Sequence, residues 1–189
     1  MDYRKGSERL AEYRNQIAET RARMRELQSD LEPQPVEDHA FQTTNGAVRL
    51  SELFGGKDDL FVIHNMGKSC PYCSLWADGY NGTYDHLASR AAFVVASPDP
   101  PDAQLKFAAS RGWRFPMVSD RDKRFAAAMG YVEDGRPVPG VSVFRRRNGA
   151  VVRVSDTRFS PGDDFCAVYH FLDLIPEGRG AWSPKLRYR

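Results

Sequence analysis

Large apolar side chains recur at every seventh position of the first 31 residues, and two more occupy adjoining seam positions. They are Tyr3, Leu10, Tyr13, Ile17, Met24, Leu27 and Leu31. This spacing predicts a long amphipathic helix. The helix would either pack on its own domain or serve as a dimerisation arm. The pattern favours neither interpretation, because Gly6 and Thr20 interrupt the seam that a coiled coil would use.

The helical pattern ends at the segment Glu32-Pro33-Gln34-Pro35. Proline lacks an amide donor and disfavours helix in the residue before it. We therefore predict an N-terminal helical segment over residues 1–32 and a second domain over residues 33–189.

From residue 40 onward, short apolar runs alternate with helical stretches, which is typical of an α/β fold. Strands are predicted at about residues 61–65, 92–97, 117–119, 141–145 and 151–155. Helices are predicted at about residues 71–77, 83–89, 102–111, 122–129 and 163–174. Asn148-Gly149 joins the last two strands as a hairpin, because both residues tolerate positive φ. Gly79 and Gly82 predict a break between the first two helices.

The composition restricts the class of protein. With 41% hydrophobic and 28% charged residues the chain should fold, and its net charge of +2 offers no general attraction to nucleic acid. No apolar run approaches the ~20 residues that a membrane span needs. The N-terminus lacks the features of a secretory signal, so we expect a cytoplasmic protein. Three cysteines are too few for a disulfide scaffold.

Cys70-Pro71-Tyr72-Cys73 holds the most specific chemical signal. A dithiol enzyme needs one cysteine that ionises near neutral pH and a second within reach, and Cys-x-x-Cys at a helix start supplies both. Pro71 suits the first helical position, and Lys68 adds positive charge nearby. We therefore predict Cys70 as the attacking thiol and Cys73 as the resolving thiol.

A metal site, a third reactive thiol and an aromatic groove were also considered. A zinc site needs four ligands, and the sequence offers no second Cys-x-x-Cys or His pair, so redox chemistry is favoured over a metal site. Cys166 lies among apolar neighbours on a helical pattern and is expected to be buried. Trp76, Tyr80 and Tyr84 recur every four residues, which is typical of core packing, although such a stripe could also form the wall of a substrate groove.

The order of elements resembles the thioredoxin superfamily. The resemblance rests on the Cys-Pro-Tyr-Cys tetrad between strand and helix, on Val138-Pro139-Gly140-Val141 before the hairpin, and on the closing helix. Segments 46–54 and 115–120 look like the peroxiredoxin and bacterioferritin-comigratory branch. His64 with residues 70–82 and 169–174 is similar to a bacterial thioredoxin-like family catalogued as a domain of unknown function. That similarity covers about residues 8–188.

The resemblance implies site residues beyond the two thiols. It places a cis-proline at Pro139, facing the cysteines and presenting backbone to the substrate. It places His64 where thioredoxins hold a buried acid that handles the proton of the resolving thiol; a core histidine is the equal alternative. Independently of the resemblance, the positions of Lys68, Tyr72 and Trp76 near the thiols make them candidates for a substrate-binding surface.

The peroxiredoxin motif Pro-x-x-x-Thr-x-x-Cys is missing, because His64 to Ser69 occupy its place. Ser69 and Arg136 are poor replacements for its hydroxyl and its arginine. The sequence therefore predicts a thioredoxin-like thiol-disulfide oxidoreductase that needs no prosthetic group. Its partners would be a protein or low-molecular-weight disulfide and a thiol reductant that the sequence does not identify, with no nucleic acid or membrane. The alternatives are a peroxidase of the peroxiredoxin type and a non-catalytic binding or assembly module.

Overall fold

A computed structural model describes residues 1–188, so residue 189 of the predicted second domain lies outside the described part. The chain divides into two compact units, one ending at Pro33 and one beginning at Gln34. The first is a single helix, α1 (Tyr3–Ser29), whose N-terminus is capped by the Asp2 carboxylate, an acceptor for the Lys5 amide at 3.0 Å. No residue of α1 is buried. The predicted N-terminal helix is therefore present, with its apolar side chains exposed.

The second unit contains ten strands, eight of which form a mixed sheet with helices on both faces. Its strands are β1 (Gln34–Pro35), β2 (Ala40–Thr43), β3 (Gly46–Arg49), β4 (Asp59–His64), β5 (Ala92–Ser97), β6 (Met117–Ser119), β7 (Val132–Glu133), β8 (Arg136–Pro137), β9 (Gly140–Arg147) and β10 (Ala150–Arg158). Its helices are α2 (Pro71–Arg90), α3 (Pro101–Arg111), α4 (Arg124–Ala128) and α5 (Ala167–Leu172), with a 3₁₀ turn at Leu50–Glu52. The predicted α/β architecture is confirmed.

The strand order is β1-β10-β9-β4-β5-β6-β2-β3, and β7 and β8 form a separate two-stranded ribbon. The central strands β4, β5 and β6 are parallel, whereas β9 and β10 form the antiparallel closing hairpin. His64, the last residue of β4, pairs with Gly140, the first residue of β9. The loop that carries the cysteines and the segment that carries Pro139 therefore lie at the same end of the central strands.

Two apolar clusters cover the two faces of this sheet. One contains Ile63, Phe93 and Val95 with side chains of α2. The other contains Leu60, Val62 and Phe125 of α4. Since alternate residues of a strand point to opposite faces, successive residues of β4 belong to different clusters. This alternation decides on which face His64 lies.

The predicted break in α2 is wrong, because α2 runs without interruption from Pro71 to Arg90. Gly79 and Gly82 lie on its exposed side, where an added Cβ would meet nothing within 4 Å. Each glycine costs a helix about 1 kcal/mol relative to alanine. Burial of Trp76, Ala77 and Tyr80 on the other side outweighs that cost.

Other differences from the predicted elements have local causes. α5 begins at Ala167, later than the predicted residue 163, because the Asp163 carboxylate accepts the amides of Ser160 (3.0 Å) and Phe165 (2.9 Å) and holds a turn there. Cys166 is buried just before α5 rather than within it. Strands β1 to β3, β7 and β8, each of two to four residues, were not predicted. No helix within residues 1–188 combines the length and the apolar content needed to cross a membrane.

Asp78 and Asn81 of α2 form hydrogen bonds with residues at the C-terminal end of α3 and just after it. The Asp78 carboxylate accepts hydrogen bonds from the Arg111 guanidinium and from Trp113 Nε1 (2.8 Å). Asn81 accepts the Arg114 amide at 2.9 Å and donates to the Gly112 carbonyl at 3.0 Å. The two polar residues therefore stabilise the packing of the helices that surround the cysteines.

The substitution Asp78→Ala should lower the free energy of unfolding by about 2 kcal/mol, because it leaves the partly buried Arg111 and Trp113 donors without their shared acceptor. Asp85→Ala is the matched control, since it removes a carboxylate whose partner Arg114 is half exposed. That change should cost at most about 1 kcal/mol. Urea unfolding of both variants measures the difference, and equal losses would show that Asp78 does not hold α3.

Candidate active site

Cys70 begins α2 as its N-cap residue. Its backbone is extended (φ −90°, ψ 109°), and its Sγ accepts the Cys73 amide at 3.1 Å. Pro71 follows in the first turn, where its missing donor leaves no bond unmade. The Cys70 carbonyl accepts both the amide and the hydroxyl of Ser74, at 3.1 and 3.0 Å. The sulfur is thus held against the amides that open the helix, and it remains partly exposed.

Cys73 lies one turn further along the helix and is only 3% exposed. Its Sγ accepts the Met66 amide at 3.4 Å. Both cysteines are free thiols. The tetrad therefore brings the two predicted redox residues together, one accessible and one shielded.

The surroundings of the two thiols give them different pKa values. The hydrogen bond from the Cys73 thiol, helped by the Cys73 and Tyr72 amides, lowers the pKa of Cys70 to about 7 against the opposing effect of burial. The same hydrogen bond, together with burial, raises the pKa of Cys73 far above its usual range. At neutral pH a large share of Cys70 is therefore thiolate while Cys73 keeps its proton. Hydrogen bonds, rather than the charge of Lys68, cause the lowering.

The substitution Cys73→Ala should raise the pKa of Cys70, because it removes the largest cause of the lowered value while leaving the backbone amide in place. In the native protein, alkylation of Cys70 by iodoacetamide should reach half its maximal rate near pH 7. In the variant the profile should move to higher pH, so alkylation at neutral pH slows. Peptide mass spectrometry across a pH series measures this. Cys166→Ser is the control with an unchanged profile, and an unchanged profile in Cys73→Ala would contradict the hydrogen-bond account.

Backbone geometry in the loop between β4 and α2 positions the cysteines. The buried Asn65 accepts the Gly67 amide through its Oδ1 at 2.8 Å, and Asp99 accepts the Lys68 amide at 2.7 Å. Gly67 has φ 108°, and an added Cβ would lie 3.0 Å from the Asp99 carboxylate. Asn65 and Asp99 were not predicted as site residues. The turn-forming residues Asn65-x-Gly67 and Ser97-Pro98-Asp99-Pro100 are the signals that could have identified them.

His64 is not brought to the thiols. It is 4% exposed, and its ring stacks on Tyr131 at 3.8 Å and on Phe125 at 5.3 Å between ring centroids. Those residues cover the sheet face opposite α2. Its Nε2 hydrogen-bonds Ser142 Oγ at 2.9 Å, and burial lowers its pKa to about 3. The geometry supports the alternative interpretation, a neutral core histidine, rather than a base for Cys73.

Pro139 directly precedes β9, as the sequence predicts, but its peptide bond differs from the one that the resemblance implies. All peptide bonds among residues 1–188 are trans, including Val138–Pro139, whereas the resemblance implies a cis bond there. The Pro139 carbonyl already accepts the Phe159 amide at 2.9 Å. That hydrogen bond joins the residue before β9 to the residue after β10.

The predicted substrate-binding residues occupy different environments. Trp76 is 2% exposed and donates from Nε1 to Asp163 at 3.2 Å, so it belongs to the core and forms no groove wall. Tyr72 is half-buried beside it, with ring centroids 6.5 Å apart. Lys68 is exposed and borders a groove that continues along α3 past Lys106 and Phe107. Of the predicted set, Lys68 is exposed and Tyr72 is half-buried, so their role in substrate binding stays a prediction.

The residues considered for peroxide reduction and for metal binding have the following positions. Arg136, the replacement for the peroxiredoxin arginine, is exposed on β8, and Ser69 is exposed beside Cys70. Within residues 1–188, no group of three or more His, Cys, Asp or Glu side chains is arranged to hold a metal ion.

Comparison with known proteins identifies relatives in family and in fold. Residues 4–188 match the model of a family described as bacterial protein of unknown function, DUF899. Among solved structures, a PrxQ mutant of Xylella fastidiosa aligns with TM-score 0.58 and 16% identity, covering 67% of this chain and 84% of its own. The peroxidoxin BcpB of Mycobacterium tuberculosis aligns with TM-score 0.54 and 24% identity, covering 71% and 88%. Reduced Prx3 of Vibrio vulnificus in complex with H₂O₂ aligns with TM-score 0.54 and 19% identity, covering 70% and 91%.

No curated protein matches the sequence. At these identities the solved structures show the fold, which is the thioredoxin-like fold of peroxiredoxins. The resemblance predicted from the tetrad, the hairpin and the closing helix is thereby confirmed for the fold.

Proposed function

We propose that this chain, which belongs to the bacterial protein family of unknown function DUF899, exchanges a dithiol for a disulfide through Cys70 and Cys73. One observation carries the proposal: the partly exposed Cys70 sulfur at the start of α2 accepts the Cys73 amide at 3.1 Å, and the Cys73 thiol lies one helical turn further on. This arrangement stabilises a thiolate at Cys70 and keeps a second thiol beside it. Those are the two requirements of dithiol chemistry.

The reaction follows from the different acidities. The Cys70 thiolate attacks one sulfur of a substrate disulfide, a mixed disulfide forms, and the other substrate sulfur leaves as a thiolate that takes a proton from water. Cys73 then attacks the Cys70 sulfur and gives its proton to the departing substrate sulfur, which releases the second substrate thiol and closes the Cys70–Cys73 disulfide. Two electrons pass from the protein to the substrate. A thiol reductant must then reopen the ring before another turnover.

The groove along α3 is a candidate binding surface for the substrate disulfide. Cys73 is shielded within the helix, so the first attack belongs to Cys70. The groove bordered by Lys68, Asp102, Lys106 and Phe107 offers apolar contacts and charges of both signs, and Lys68 lies two positions before Cys70 in the sequence. A protein or a low-molecular-weight disulfide would both fit such an open surface.

Turnover of a model disulfide tests the proposal. With dithiothreitol as electron source, the native protein should accelerate reduction of insulin disulfides over the rate of dithiothreitol alone. Cys166→Ser should retain this activity, because Cys166 is buried beside α5 and takes no part in the exchange. A native rate equal to that of dithiothreitol alone would contradict the proposal.

Peroxide reduction is the second candidate, favoured by the accessible, acidic Cys70 thiol on a peroxiredoxin-like fold. A peroxide would oxidise the Cys70 thiolate to a sulfenic acid, and Cys73 would condense with it to release water. The hydroxyl and arginine of the peroxiredoxin motif are missing beside Cys70, so this reaction should be slow. Rapid consumption of hydrogen peroxide without insulin reduction would make it the main activity.

A further inference from the structure

We propose that α1 pairs with α1 of a second copy of this chain as a short antiparallel coiled coil. The contact surface, here called the α1 seam, consists of Leu10, Tyr13, Ile17, Thr20, Met24 and Leu27. Its five large apolar side chains are between 47% and 66% exposed. A helix of 27 residues with such a stripe and no buried residue leaves apolar surface that association would remove from water.

The spacing of the seam favours another helix over a lipid surface. Leu10, Ile17 and Met24 repeat every seven residues, so the stripe drifts by about 20° per heptad on a straight helix. A supercoiled partner helix compensates that drift, whereas a flat membrane does not. The stripe is also the narrow one of a coiled coil rather than the wider apolar face that inserts among lipids.

The available area is enough for a modest dimer. Each of the five half-exposed apolar side chains offers on the order of 100 Å². The aliphatic stems of the arginines beside the seam add to this. Two copies would together bury about 1,200 Å², the lower end for a specific interface. We therefore expect a dimer that dissociates on dilution rather than an obligate one.

Side-chain size and charge favour the antiparallel orientation. The register that sets Ile17 against Thr20 of the second copy also sets Leu10 against its Leu27 and Tyr13 against its Met24. Polar Thr20 then packs on Ile17 instead of on itself. On one flank Arg9 lies beside Asp30 of the second copy, whereas a parallel pair would place Arg9 beside Arg14.

The other flank of the antiparallel pair brings Arg14 near Arg21 of the second copy. Like charges there reduce the affinity, which agrees with a dimer that dissociates on dilution. The four glutamates of α1 lie on the side opposite the seam and stay in solvent.

Sedimentation equilibrium of the full chain tests the proposal. The native mass should rise with concentration from 21.4 kDa toward twice that value. Ile17→Glu should raise the dissociation constant about 100-fold or more, because it buries a charge at the centre of the seam. Asn15→Glu adds the same charge on the opposite side of α1 and should change the constant by no more than about twofold.

Charge-reversal variants then test the relative orientation of the two paired helices. Arg9→Glu should weaken the dimer, and Asp30→Arg added to it should restore the native constant. Tighter association of Arg9→Glu alone would show a parallel pair and overturn the proposed orientation. A native protein that stays at 21.4 kDa at every concentration overturns the proposal. A monomer whose thermal stability falls with Ile17→Glu would also overturn it, because that result would show α1 packed on its own domain. A monomer that sediments with anionic phospholipid vesicles would overturn it as well.

Discussion

Cys70→Ser is expected to lose insulin reduction by about 10³-fold or more, because serine supplies no thiolate at neutral pH. Cys73→Ser should lose turnover as well, but for another reason. In that variant Cys70 still attacks, and the mixed disulfide persists because no second thiol resolves it. The two variants therefore distinguish the attacking from the resolving position.

Mass spectrometry of the two variants after incubation with cell extract measures this difference. Cys73→Ser should carry disulfide-linked partners on Cys70, and the identity of those partners names the substrate. Cys70→Ser should carry few, since Cys73 is buried and keeps its proton. Equal capture by both variants would overturn the assigned order of attack. Cys166→Ser is the matched control and should release its partners as the native protein does.

Gly140→Ala should destabilise the domain by about 3 kcal/mol or more. An added Cβ would lie 2.2 Å from Tyr131 Cε1 and 2.5 Å from the Thr157 carbonyl oxygen. Neither the Tyr131 ring nor the Thr157 carbonyl can move away easily. The Tyr131 ring is stacked on buried His64 and its hydroxyl is bonded to the Val141 carbonyl, while Thr157 belongs to the paired strand β10.

Gly79→Ala makes the same chemical change where nothing lies within 4 Å of the new atom. It should stabilise the uninterrupted α2 by up to about 1 kcal/mol. Urea unfolding of both variants checks the pair of predictions. A small loss for Gly140→Ala would show that β9 and Tyr131 separate more easily than their packing indicates. A loss for Gly79→Ala would contradict a continuous helix at that position.

The elements around the cysteines were predictable because their signals are local. Pro71 in the first turn of α2, the apolar run of β5 and the Asn148-Gly149 turn each depend on a few neighbouring residues. The N-cap position of Cys70 follows from the same reasoning. Shielding of Cys73 follows too, since a residue one turn inside a helix on its packed side is covered by the sheet.

The features that the sequence did not reveal concern residues whose surroundings depend on distant parts of the chain. His64 lies six residues before Cys70, but its face of the sheet is set by the alternation along β4 and by its pairing with Gly140. Asp99 supports the cysteine loop from 31 residues away along the chain. Asp78 finds its donors on the far end of α3. Spacing in the sequence encodes none of these contacts.

The break predicted in α2 shows a different limit. Glycine weakens a helix by a small local amount, whereas packing of Trp76 and Tyr80 against Phe159 and Phe93 acts across the fold. A local rule cannot weigh the second against the first. Pro139 is similar, because its bond isomer is set by tertiary surroundings rather than by its neighbours in sequence.

A redox titration of the native protein tests the central claim most directly. The protein is equilibrated in mixtures of reduced and oxidised glutathione, quenched with acid and alkylated, and the peptide containing both Cys70 and Cys73 is weighed. The account predicts one reversible transition in which this peptide loses two hydrogens as a single disulfide while Cys166 stays reduced. Full alkylation of both thiols at every glutathione ratio, or a disulfide that includes Cys166 in place of Cys70, would contradict it.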